Sequence, residues 1–209
     1  MPSEFLREIA GPVGPLEALL DLPQGEPRAA CVFAHPLPTE GGTMHTKAVY
    51  QSSKALARVG IATLRFNFRG VGRSAGEFDS GPGEKDDYRA ALDFMAERYP
   101  GKPIWAAGFS FGSWVALTVA VDDARVRLLL GIGVPVDRYD FSKVRESEKP
   151  KFLIHGEEDE LISIKNVRRF YSECKEPKEL VVIEAADHLF DGKTSEVGDA
   201  VADLLGDFS

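Results

Sequence analysis

Long apolar runs are missing from this chain of 209 residues. No stretch reaches the run of about 18 uninterrupted apolar residues that marks a membrane-crossing helix. The opening MPSEFLREIAG is charged and amphipathic, without the apolar centre of an export signal. A cytoplasmic protein with no membrane partner is expected. Cysteine is scarce: Cys31 and Cys174 are the only two, and they form no metal-ligand pattern. Cys31 stands inside an apolar run, where a thiol passes as a small hydrophobe. Positive charge is in deficit as well. Lys and Arg number 25 against 33 Asp and Glu, giving a net charge of −8 and a pI of about 5.1. The basic residues are scattered, so the long-range field repels polyanions and nucleic acid is not expected as a partner. Internal repeats and low-complexity segments are absent too.

What the chain does contain is alternation. Short apolar runs take turns with amphipathic stretches, the pattern of a mostly parallel sheet with helices on both faces. The length suits one domain, residues 1–209, with a core large enough to need no staples. EFLREIAG and LEALLDLP read as two strands joined by a Gly/Pro turn, an antiparallel entry into the sheet. Strands then follow at RAACVFAHP, IATLRFNF, KPIWAAGF, VRLLLGIGVP, PKFLIHG and KELVVIEA. Helices are expected over KAVYQSSKALARVG, EKDDYRAALDFMAERYP, FGSWVALTVAVDD, IKNVRRFYSEC and SEVGDAVADLLGDF. Only residues 136–149 separate the sixth and seventh of the strands that follow one another through the sheet, too short a span for a lid domain.

Gly-x-Ser-x-Gly, a pattern that announces a serine nucleophile, occurs twice, as GRSAG at 72–76 and GFSFG at 108–112. A nucleophile elbow joins a buried strand directly to a helix, so that the hydroxyl stands above the sheet near the helix N-terminus. Ser110 has that context, with PIWAAGF before it and FGSWVALTVAV after it. Gly108 and Gly112 remove side chains that would collide in so tight a turn. Ser74 is followed by AGEFDSGPG, whose glycines and proline oppose an immediate helix. It reads as a loop serine that bonds to nearby backbone. A plain helix cap is the bland alternative for Ser110.

A serine hydroxyl attacks only when a base takes its proton, and the base needs an acid to fix its tautomer. On a sheet of this kind the three follow in the order Ser, acid, His. Of His35, His45, His155 and His188, the last two come after Ser110, and His188 alone leaves room for a loop acid between. Asp159, directly after a short apolar strand, is the favoured acid. Asp137 and Asp140, after the preceding strand, are its rivals, and Asp187 is too close to His188 to reach its ring. An oxyanion hole needs two backbone N–H groups. Phe111 follows the nucleophile, and in HPLP the prolines leave Leu37 as the second donor. His35 reads as a brace for that loop.

HPLPTEGGTMHTK, LRFNFRGVGRSAGEFDSGPGEKDD, AGFSFGSWVAL, HGEEDELIS and ADHLF together resemble the α/β-hydrolase superfamily over nearly the whole chain. Within it the chain is similar to the small, lidless, dienelactone-hydrolase-like bacterial serine hydrolases. The resemblance implies Ser110 as nucleophile, Asp159 as acid, His188 as base, and the Leu37 and Phe111 N–H groups as oxyanion hole, with no metal or organic cofactor. It also implies that Arg-Gly-x-Gly-x-Ser at 69–74 is a recurring loop. Dienelactone hydrolase uses cysteine where this elbow carries serine, a departure that argues against its substrate. The expected activity is carboxylesterase action on small soluble acyl esters at an open, shallow site. Met44, Phe78, Trp114 and Phe190 are candidate pocket residues. A thioesterase, small-peptide hydrolase or acyltransferase would use the same triad. A ligand-binding protein on this fold would usually show a broken one. The sequence leaves a homodimer open.

Overall fold

Residues that alternate along the central strands point to two different apolar layers, as the pleat requires. Ala30, Val32 and Ala34 join one core cluster, and Ala29, Cys31 and Phe33 join the other. Ile104 and Ala106 part from Trp105, Ala107 and Phe109 in the same way. Both faces must therefore be covered, which is why these strands read as continuous apolar runs.

The computed structural model describes residues 3–206 and 208. Its strands are β1 (Ser3–Gly11), β2 (Gly14–Asp21), β3 (Ala29–Ala34), β4 (Ile61–Phe66), β5 (Ile104–Phe109), β6 (Val126–Ile132), β7 (Lys151–Gly156) and β8 (Lys178–Ile183). The helices are α1 (Lys47–Arg58), α2 (Pro82–Arg98), α3 (Phe111–Ala120), α4 (Ser142–Glu146), α5 (Ile164–Glu173) and α6 (Thr194–Gly206). One sheet holds the strands in the order β1-β2-β4-β3-β5-β6-β7-β8. β1 and β2 enter antiparallel, and every pairing from β4 through β3 to β8 is parallel.

One core cluster takes residues of α2, α3 and α4, such as Tyr88, Val115 and Val144, with Phe170 and Tyr171 of α5 packed against it; the other takes Val49 and Leu56 of α1 with Val197 and Val201 of α6. The α/β reading and the absence of a lid agree with this architecture. Two short elements escaped the sequence reading: a 3-10 turn at Pro38–Glu40, and α4, which lies within the 136–149 span. No helix among the described residues is long and apolar enough to cross a membrane.

Candidate active site

The two Gly-x-Ser-x-Gly matches have different fates. Ser74 is buried in the loop after β4, where its hydroxyl donates to Asn67 O (2.7 Å) and accepts the Glu17 N–H (2.9 Å). That serine staples its loop to β2. Arg69, at the head of the same loop, is buried in an ion pair with Asp87 of α2, Nη2 to Oδ1 at 2.8 Å. The Arg-Gly-x-Gly-x-Ser motif is thus a built piece of scaffold.

Ser110 occupies the single residue between β5 and α3, with φ 52° and ψ −124°. Side chains rarely accept a positive φ, and such strain persists only where the surroundings enforce it. Enforcement here comes from contact. A Cβ on Gly108 would lie 2.3 Å from Gly112 O, and one on Gly112 would lie 2.3 Å from His35 O and 2.6 Å from Ala34 O. Both glycines are therefore required for β5, the turn and α3 to close against the end of β3. The Ser110 N–H donates to Ile132 O (2.8 Å), and its carbonyl accepts the Ser113 N–H (2.8 Å) and hydroxyl (2.6 Å). These bonds hold the backbone while the Ser110 hydroxyl stays free to point elsewhere.

It points to His188. Ser110 Oγ lies 2.9 Å from His188 Nε2, and His188 Nδ1 lies 2.7 Å from Asp159 Oδ2. The loop after β8 carries the imidazole back over the end of β5, where it packs on Phe109 with ring centroids 5.5 Å apart. Gly133, at φ 55°, makes room: a Cβ there would meet Phe109 at 3.0 Å and His188 Cε1 at 3.3 Å. Asp159 is equally well held, its Oδ1 accepting the Leu161 (2.9 Å) and Ile162 (2.8 Å) N–H groups. Burial raises the carboxyl pKa, but the bond and charge of His188 and the Ile162 N–H outweigh it and hold the pKa below the ordinary aspartate value. An ionised carboxylate keeps the His188 proton on Nδ1 and leaves Nε2 to accept from serine.

The rival acids are engaged elsewhere. Asp137 Oδ2 accepts from Asn166 Nδ2 (3.0 Å) beside a concavity of about 370 Å³, and Asp140 caps Ser142 at the start of α4. Asp187 Oδ1 accepts the Asp191 N–H (2.9 Å). Among the histidines, His45 is exposed. His35 is buried, its Nε2 accepting the Phe68 N–H (3.1 Å) and its Nδ1–H donating to Pro36 O (2.7 Å). Burial lowers its pKa to about 4, so the ring is a neutral brace under the loop that carries Leu37. The histidine on Ser110 is His188, not His155. The structure puts His155 instead against the acid, with Nε2 3.3 Å from Asp159 Oδ2. Its place four residues before Asp159 is the only sequence signal of that contact.

The Leu37 and Phe111 N–H groups have no acceptor among the described residues, and Phe111 opens α3, whose dipole favours negative charge at that end. The candidate pocket needs correction. Met44 and Phe190 are fully buried, Phe190 against Phe109 in the core, so neither offers surface to a substrate. Phe78 and Trp114 are only partly covered. Phe78 packs on Phe111, while Trp114 stacks on Tyr139 at 4.3 Å with Lys85 Nζ 4.1 Å from its ring centre. Sequence reasoning missed Leu161 and Leu189, exposed leucines on the acid and base loops. Among the described residues, no group of three or more His, Cys, Asp or Glu is arranged to hold a metal ion.

Residues 25–133, which include Ser110, match the family described as serine aminopeptidase, S33. An uncharacterised protein of Rickettsia prowazekii (strain Madrid E) is 33% identical over 204 residues, covering 93% of this chain and 86% of that protein. A solved α/β serine hydrolase homologue from Coxiella burnetii superposes with a TM-score of 0.90 at 37% identity, covering 95% of each chain. A serine hydrolase without a lid from Xanthomonas campestris gives 0.88 at 36% identity, over 96% of this chain and 93% of the other. The strained serine turn, the lidless sheet and these likenesses agree, and the chain belongs to the α/β serine hydrolases of the S33 serine aminopeptidase family.

Proposed function

We propose that the protein is a serine carboxylesterase acting on small, soluble acyl esters. The observation that carries this reading is the unbroken line from Ser110 Oγ through His188 to Asp159, begun on a strained turn beside two N–H groups without acceptors among the described residues. His188 Nε2 takes the serine proton as Oγ attacks the ester carbonyl, and Asp159 stabilises the imidazolium. The Leu37 and Phe111 N–H groups receive the tetrahedral oxyanion, the point at which preorganised donors contribute most. The imidazolium then gives its proton to the departing alcohol. Water, deprotonated by the same His188, attacks the Ser110 acyl-enzyme and releases the acid.

Substrate size follows from the surroundings. No lid covers the serine, so nothing encloses a long acyl chain, and the apolar side chains on the acid and base loops, Leu161 and Leu189, are exposed. Glu157, Glu158, Glu160, Asp187 and Asp191 on the same two loops disfavour anionic esters. In this reading the partner is a small neutral ester met in the cytoplasm, and the net charge of −8 disfavours nucleic acid. The test is p-nitrophenyl ester hydrolysis, from acetyl to decanoyl, by wild type, Ser110→Ala and Ser74→Ala. Activity should be greatest on the short esters and vanish only in Ser110→Ala. An active Ser110→Ala protein, or a preference for decanoyl, rules the reading out.

A further inference from the structure

Val13, Tyr50, Leu161 and Leu189 are the large apolar side chains left exposed among the described residues, and both leucines lie beside the triad. Leu161, 47% exposed, follows the acid by two residues, and Leu189, 55% exposed, directly follows the base. Their backbones are pinned with the side chains outward. The Leu161 N–H donates to Asp159 Oδ1 (2.9 Å), its carbonyl accepts from Arg138 Nη2 (3.3 Å), and the next residue, Ile162, takes the interior position. On the base loop His188 and Phe190 are buried on either side of Leu189, and Phe190 holds φ 57° with its N–H on Asp187 O (3.3 Å). Glu160 Oε2 accepts the His188 N–H (3.4 Å), which joins the two loops at the residues next to the leucines. A single exposed leucine needs no explanation, but two on adjoining catalytic loops form an apolar edge.

The reaction decides what such an edge meets. In the tetrahedral intermediate the former carbonyl carbon carries Ser110 Oγ, the oxyanion, the acyl chain and the alcohol oxygen. The oxyanion is turned to the Leu37 and Phe111 N–H groups. The alcohol oxygen must come within about 2.6–3.2 Å of His188 Nε2, which hands it the proton as it departs. The first carbons of the alcohol are therefore held beside the loop that carries His188 and Leu189, and the acyl chain takes the remaining corner. Covering half-exposed leucines with an apolar alcohol removes apolar surface from water on both partners, which a methyl group does hardly at all.

We propose that Leu161 and Leu189 are specificity-determining residues that form an alcohol subsite, and that the enzyme selects esters joining a short acyl group to an apolar alcohol. This rests on the hydrolase reading above and adds to it which side of the ester the protein reads. The subsite is open, so it discriminates by the apolar area it covers rather than by enclosure. Glu157, Glu158 and Glu160 on the acid loop and Asp187 and Asp191 on the base loop repel an alcohol that carries negative charge.

Two ester series followed by pH-stat titration test the assignment. Methyl, n-butyl and benzyl acetate vary the alcohol, and methyl acetate, butyrate and hexanoate vary the acyl group. Methanol and benzyl alcohol are about equally acidic, so their ratio reads contact with the protein rather than leaving-group reactivity. In the wild type kcat/KM should rise about tenfold from methyl to benzyl acetate. The double variant Leu161→Ala, Leu189→Ala should bring that ratio to within about twofold of one, with the acyl profile keeping its wild-type shape. Both side chains are exposed, so the variant should fold, and urea unfolding checks it. Should it fail to fold, each single variant carries the test, with an expected loss of about threefold in the ratio. A wild type without the benzyl preference overturns the proposal. So does a folded variant that keeps the preference, or one whose acyl profile changes instead. Failure of the hydrolase reading looks different: Ser110→Ala would turn over every ester as the wild type does, whichever alcohol it carries.

Discussion

Replacing Asp159 by asparagine changes one atom of the triad acid, and the structure dictates which way the new amide must turn. Oδ1 accepts two backbone N–H groups, from Leu161 at 2.9 Å and Ile162 at 2.8 Å. Turning the amide NH2 toward them would lose both bonds, a cost of roughly 1–3 kcal/mol each. The amide oxygen therefore keeps the Oδ1 position and the NH2 faces His188 Nδ1. Nδ1 must then accept, the ring proton moves to Nε2, and Nε2 can no longer take the proton of Ser110 Oγ, 2.9 Å away. Reaching the active tautomer requires the unfavourable flip, about 2–6 kcal/mol in all, or roughly 30-fold to 10⁴-fold in rate. Loss of the charge opposite the imidazolium adds to this, so kcat should fall on the order of 10³–10⁴-fold. Steady-state p-nitrophenyl acetate hydrolysis measures the loss above the Ser110→Ala background, with circular dichroism to establish that the variant folds. A folded Asp159→Asn enzyme within about tenfold of wild type refutes the tautomer argument. A larger loss in Asp137→Asn would move the acid to that position.

Gly112→Ala places a Cβ 2.3 Å from His35 O and should destabilise the protein by about 1–3 kcal/mol while pushing the Leu37 loop from the serine. A lowered melting temperature together with lowered kcat is expected, and a fully active, fully stable variant contradicts the close approach. Ser74→Ala leaves the Glu17 N–H and Asn67 O without their shared partner and should cost about 1–3 kcal/mol in urea unfolding with kcat unchanged. A drop in kcat at full stability would return Ser74 to the chemistry. His35 makes stability fall in acid: burial lowers its pKa from 6.5 to about 4, so between those values the unfolded chain holds a proton that the folded chain refuses. That contribution is complete above pH 6.5, is lost as pH falls toward 4, and amounts to at most about 3 kcal/mol. Urea midpoints between pH 7 and 4 should fall accordingly, and a His35 ring signal titrating near pH 6.5 would contradict the assignment.

Much of the fold is legible in the residues because its periodicities are local. Apolar runs bounded by turn residues mark the central strands, and Gly108 and Gly112 flanking one serine mark a turn that tolerates no side chain on either side. Chain order alone set aside His35 and His45 as bases, because the topology of such a sheet fixes which loops reach the nucleophile from its far side. The short helix α4 was missed because five residues are too few to show a period.

Matters of side-chain direction required the tertiary structure. Asp137 and Asp159 both follow strands at the same sheet end, and no sequence pattern tells which carboxylate turns toward His188. The choice depends on Asn166 and on the Leu161 and Ile162 N–H groups. Met44 and Phe190 stand in loops beside the site, yet their side chains turn into the interior, as apolar groups do wherever the backbone allows it. His155 lacks an acid of its own in sequence and meets one only because its ring and the Asp159 carboxylate fold back into the same buried space. From the chain itself came the sheet, the elbow and the residue types the chemistry needs, since those follow from spacing. Which oxygen faces which nitrogen is a matter of packing between loops far apart in sequence, and only the folded molecule decides it.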